Sequence, residues 1–193
     1  MKKRIFAALL CVIMLFGMLP VTAFAEGDEA LTLPPKGGEL TSGTYQLSED
    51  LTISSSLIIP SGNDITIDLN GYTLDTTAVT WGVSVSGTCT IVDSAENGTI
   101  NASGTAIVNL AGAELTISNA TVSSSSSSVL QNQGAVTIQG AELYSNVAAG
   151  IFNLNGSVTV SDSTIYGAYN GILNGLAEEY GSNPSIIISN STV

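Results

Sequence analysis

The sequence predicts an all-β solenoid of about six turns with three short strands each, and three observations predict it. Apolar residues recur in columns: Ile117, Ile138 and Val160 lie 21 and 22 residues apart, and Val122, Leu143 and Ile165 repeat the same intervals. A chain with such a period stacks each repeat on its neighbour, because one repeat alone cannot bury its apolar face. Leu, Ile and Val alternate with Ser, Thr, Asn and Gly throughout, and no segment carries a helical period. Finally, Asn119, Gly140, Asp162 and Asn190 fall in register between the second and third strands of successive repeats. These residue types tolerate positive φ, so a sharp bend is permitted there.

Residues 1–25 stand outside the fold. Lys2, Lys3 and Arg4 precede an apolar run at 5–19, and Ala23-Phe24-Ala25 offers small residues for cleavage, the pattern of a bacterial signal peptide. The run is shorter than the roughly 20 residues a membrane helix needs. Residues 26–39 are acidic and then proline-rich (Leu33-Pro34-Pro35), which reads as a flexible tether. The solenoid domain is expected over 40–193, with an opening segment at 40–63 and turns at 64–193.

Within the turns, Ile67, Ile91, Ile117, Ile138, Val160 and Ile188 form the second-strand column, and Leu74, Ile100, Val122, Leu143, Ile165 and Val193 the third. The first-strand column is read as Val83, Val108, Leu130, Phe152 and Leu173. Five steps of about 4.8 Å give a rod core of roughly 24 Å. The serines at 123–128 occupy an ordinary corner, since Val122 to Val129 matches the seven-residue span from Ile165 to Ile172. Only the corner after Leu173 departs, with an insertion at 175–184 that carries Glu178, Glu179 and Tyr180. Loops added to a repetitive scaffold are frequent carriers of function. Val193 leaves an open apolar rung, for which truncation, a further domain or end-to-end association each offers a cover.

The run GTYQLSEDLTISSSLIIPSGNDITIDLNGYTL at 43–74 resembles the start of right-handed parallel β-helix domains of the pectin-lyase-like superfamily, found in secreted and surface bacterial proteins. The resemblance covers roughly residues 40–193. It implies an extracellular or cell-surface location, and it brings in polysaccharide lyases and hydrolases as relatives.

The residue inventory argues against catalysis. Without residues 1–25 the chain has one strong cation, Lys36, against sixteen acidic groups, and neither Arg nor His. Lyase chemistry needs a positioned base and cationic stabilisation of the developing charge, so no enzyme activity is expected. Paired carboxylates would suffice for hydrolysis, and the candidate pairs are Asp64 with Asp68 and Asp75 with Asp93. Their alternation with apolar neighbours, as Asp68 between Ile67 and Leu69, reads instead as solvated outward or corner positions. No calcium-binding repeat occurs and no cofactor is expected. The negative charge excludes nucleic acid and an anionic membrane surface as partners. Cys89, the sole cysteine after residue 25, reads as a buried small hydrophobe.

Two polar or aromatic groupings remain. Ser84, Asn109, Gln131, Asn153 and Asn174 form a ladder column whose amides would bond along the rod. Parity does not decide whether it faces inward, as structure, or outward, as a sugar-binding strip. Tyr144 and Tyr166 share an outward column with Tyr169 close behind, and with Glu178, Glu179 and Tyr180 they make the candidate ligand-binding set. Exposed rings suit apolar sugar faces, and stacked tyrosines also stabilise sheets. Trp81 either joins this group or covers an upper turn. The functional expectation is a non-catalytic, adhesin-like or carbohydrate-binding module that contacts a polysaccharide or cell-surface glycan. The alternatives are a fragment of a polysaccharide-degrading enzyme and a structural spacer.

Overall fold

The computed structural model describes residues 30–175 and 184–193. Six turns contribute three strands each. The first three turns are β1 (Gly38–Glu39), β2 (Gly43–Gln46) and β3 (Leu51–Thr52); β4 (Leu57–Ile59), β5 (Asp64–Asp68) and β6 (Thr73–Asp75); and β7 (Trp81–Val85), β8 (Thr88–Val92) and β9 (Thr99–Ala102). The next three are β10 (Thr105–Asn109), β11 (Glu114–Ser118) and β12 (Thr121–Ser124); β13 (Leu130–Asn132), β14 (Ala135–Gln139) and β15 (Glu142–Ser145); and β16 (Ala149–Asn153), β17 (Ser157–Ser161) and β18 (Thr164–Gly167). Strands β19 (Asn170–Asn174) and β20 (Ser185–Ser189) open a further turn, which Thr192 continues by bridging to Thr164.

Like stacks on like. First strands form one parallel sheet, second strands another and third strands the third, and no helix occurs among the described residues. The second-strand column holds throughout, from Ile67 to Ile188, and Tyr45 extends it upward. Leu74, Ile100, Val122, Leu143 and Ile165 pair as expected in the third sheet. These columns are fully buried down to the sixth turn, so the core is a continuous apolar stack inside three sheets. The bends are as expected: Asn70, Asn119, Asp162 and Asn190 have φ between 48° and 57°, and Gly140 has φ 61°.

The first sheet differs by one residue. Val83, Ile107, Leu130, Ile151 and Ile172 are its paired inward column, and Val108, Phe152 and Leu173 lie one position further on, facing outward. Consecutive apolar pairs such as Ile107-Val108 satisfy a 22-residue spacing in either phase. Burial selects the phase that also places an asparagine inside.

The opening segment is itself a turn, since β1, β2 and β3 pair with β4, β5 and β6. Residues 30–39 are not a free tether either. Leu31 bridges Tyr45, its N–H donating to the Thr44 carbonyl at 2.7 Å, and Leu33 is buried over the first turn. The top rung supplies the apolar partner that the local sequence lacks. The last described rung, by contrast, leaves Ile188 and Val193 about half exposed. Residues 1–29, with the expected signal peptide, lie outside the described residues.

Candidate functional site

The amide ladder is internal. Asn109, Asn132, Asn153 and Asn174 pair in successive first strands, and the first three are fully buried. Each Nδ2 donates to the next Oδ1 at 2.8 Å, from Asn109 to Asn132, Asn132 to Asn153 and Asn153 to Asn174. Spare protons go to backbone carbonyls, including Ala135 from Asn109 and Gly156 from Asn153. The ladder stops at Val85, which stacks above Asn109 and leaves its Oδ1 as a buried oxygen without a donor. Gln131 and Ser84 therefore leave the ladder: both stand in the outward column with Val108. The one-residue phase shift of the first sheet moves them there. A sugar cannot reach Asn153, and the outward strip is excluded at this column.

The carboxylate pairs are likewise resolved by their neighbours. Asp68 is buried and accepts from Asn70 N, Ser94 N, Ser94 Oγ and the Gln46 amide at 2.8 to 3.1 Å. Asp93, also buried, accepts from Gly71 N at 2.7 Å and Gly98 N at 2.6 Å. Both fasten the corner between β8 and β9 to the turn above, using backbone donors that a bend leaves unpaired. Asp75 accepts from Thr77 N at 2.8 Å. Asp64 is exposed and shares its outward column with Thr88 and Glu114, beside a shallow cleft of about 240 Å³. Among the described residues no three His, Cys, Asp or Glu side chains gather into a metal-binding group.

Cys89 is buried in β8, and its thiol is pushed up to about 12, first by burial and second by the charge of Asp64. A thiol so held is protonated at neutral pH and a poor nucleophile.

The aromatic set stays on the surface. Tyr144 and Tyr166 are paired residues of β15 and β18, 44% and 47% exposed. Their rings stack with centroids 4.6 Å apart and planes 12° apart. One face of each ring therefore covers the other, leaving two outer faces and two hydroxyls for solvent or ligand. Tyr169, just before β19, is 82% exposed. Glu178, Glu179 and Tyr180 fall outside the described residues.

Trp81, left open by the sequence, is 53% exposed at the start of β7. It lines an open groove of about 500 Å³ with Ser54, Ser55, Ser56, Ala78, Val79 and Thr80. The sequence carries a further regularity. Thr44, Thr66, Thr90, Thr116, Thr137 and Thr159 stack on the outer face of the second sheet, each directly before a member of the inward column.

Comparison with protein-family models, with curated proteins and with solved structures found no match for this chain.

Proposed function

We propose that this chain is a non-catalytic carbohydrate-binding module of a secreted or cell-surface bacterial protein, of the pectin-lyase-like β-helix type. The observation that carries the reading is the exposed group of Tyr144 and Tyr166 on a rigid sheet face with Tyr169 in the adjoining corner. Flat rings held by a stiff scaffold give a sugar an apolar contact without an ordering cost on the protein side. The buried carboxylates support the non-catalytic part, because Asp68 and Asp93 are consumed by backbone donors.

A glycan array carrying neutral and acidic polysaccharides tests it. Binding that is lost when Tyr144, Tyr166 and Tyr169 are all replaced by Ser, with the cooperative fold kept at the assay temperature, supports the module; no binding to any polysaccharide rejects it. A second reading, a structural spacer, draws on the mutual stacking of Tyr144 and Tyr166. It requires that the triple replacement leave every interaction unchanged.

A further inference from the structure

The corner joining third strands to the next first strands has a uniform chemistry. Its six copies, at 53–56, 76–80, 103–104, 125–129, 146–148 and 168–169, contain Ser, Thr, Gly, Ala, Val, Ile, Asn and Tyr and no charged residue. This is unusual for a chain with sixteen acidic residues and a net charge of −12. Two aromatic rings stand along it. Trp81 opens β7 and Tyr169 immediately precedes β19, four stacked first strands further along the rod. At ~4.8 Å per strand the two are about 19 Å apart along the axis. Between them the corner presents exposed Ser125, Ser126 and Asn146.

From this geometry we infer that the corner is one extended binding track for an unbranched, uncharged polysaccharide lying parallel to the rod axis. The inference rests on the carbohydrate-binding reading and adds the ligand's class, its direction and a second anchoring ring. The sugar chain stacks on Trp81 in the serine-lined groove at one end and on Tyr169 at the other. Hydroxyls and amides between the rings exchange hydrogen bonds with the sugar hydroxyls. Between Trp81 and Tyr169 the corner carries no cation to attract a polyanion; Lys36 lies beyond the Trp81 end, where its carbonyl accepts from Ser55 Oγ. A chain of evenly spaced, uncharged units with apolar faces and hydroxyl edges meets both requirements. Aromatic anchors give the larger share of the affinity and the intervening polar groups the orientation.

The test uses the whole protein with unbranched glucans, mannans, xylans, galactans and N-acetylglucosamine polymers, and polygalacturonate as the anionic comparison. Trp81 is the only tryptophan, so its fluorescence reports occupancy of that end. The expected result is that at least one neutral polymer shifts the Trp81 emission and binds more tightly as its oligomers lengthen to span the corner. Trp81→Ala then weakens the long oligomers about tenfold, the size of one stacking contact. It leaves the short ones unchanged, and Trp81→Phe restores most of the loss. Three results overturn the inference. Neutral binding that ignores oligomer length and Trp81→Ala removes the track and leaves the carbohydrate reading standing. Tighter binding of polygalacturonate than of any neutral polymer removes the charge argument. No binding by any polymer removes the track together with the reading beneath it.

Discussion

Replacing Asn132 by Ala, with Gln131→Ala beside it as the comparison, weighs the internal ladder directly. Asn132 is fully buried; its Oδ1 accepts from Asn109 Nδ2 at 2.8 Å and Gly134 N at 3.2 Å, and its Nδ2 donates to Asn153 Oδ1 at 2.8 Å. Truncation leaves Asn153 Oδ1 and Gly134 N without these partners, whereas Asn109 Nδ2 keeps the Ala135 carbonyl. The buried Asn153 Oδ1 costs about 1 to 3 kcal/mol and the half-buried Gly134 N about 1 kcal/mol or less, so the expected loss is about 1 to 4 kcal/mol. With a urea m-value of about 2 kcal/mol/M, the midpoint falls by roughly 0.5 to 2 M at unchanged m. Gln131, half-buried, has one long bond to Thr105 Oγ1 at 3.3 Å, and that hydroxyl keeps Ser127 as a partner. Its truncation costs less than about 1 kcal/mol. Urea unfolding followed by far-ultraviolet circular dichroism measures both. Equal losses, or a larger loss at Gln131, would refute the register and the ladder with it.

Other consequences are as direct. Gly156→Ala puts a methyl group against the Gly134 carbonyl and Asn132 Nδ2, so thermal melts should show a loss of about 3 kcal/mol or more. Gly112→Ala meets nothing within 4 Å and carries only the strain of φ +80°, about 1 kcal/mol. Cys89 should resist thiol reagents at pH 8 until the protein is unfolded. Because its folded value of about 12 lies above the ordinary one, the native state keeps a proton that the unfolded chain releases. That contribution is intact below about pH 8.5 and is lost as pH rises towards 12, by about 1.4 kcal/mol per unit. Urea midpoints of the native protein should therefore fall faster with pH than those of Cys89→Ala; parallel curves would contradict it. A double-mutant cycle on Tyr144→Ala and Tyr166→Ala should give a coupling of about 0.5 to 1.5 kcal/mol in stability, and no coupling would mean the rings do not stack in solution.

The second and third sheets were legible because most of their strands alternate apolar with polar residues, as in Leu115-Thr116-Ile117-Ser118 and Thr121-Val122-Ser123. Spacing alone then fixes both column and face. The first sheet was not, because Ile107-Val108, Ile151-Phe152 and Ile172-Leu173 fit the period in two phases. The deciding signal was present in Asn132, which matches Asn109, Asn153 and Asn174 in kind where Gln131 does not. A buried ladder needs identical side-chain lengths at every rung. Residues 26–39 read as a tether because the partner that Leu31 bridges, Tyr45, lies outside the segment itself. Of the site, the Tyr144 and Tyr166 pair followed from parity. The Trp81 to Tyr169 corner did not, since its rings lie 88 residues apart in sequence and meet one edge only through the stacking of five first strands.

In-register parallel stacking of these sheets underlies every placement above, and spin labels at Thr116→Cys and Thr137→Cys test it most directly. The two positions face outward on adjacent strands, β11 and β14, and are 21 residues apart in sequence. Stacking brings their backbones within about 5 Å, so the doubly labelled protein should show strong spin–spin broadening in its continuous-wave spectrum. A spectrum equal to the sum of the two single labels would contradict the solenoid.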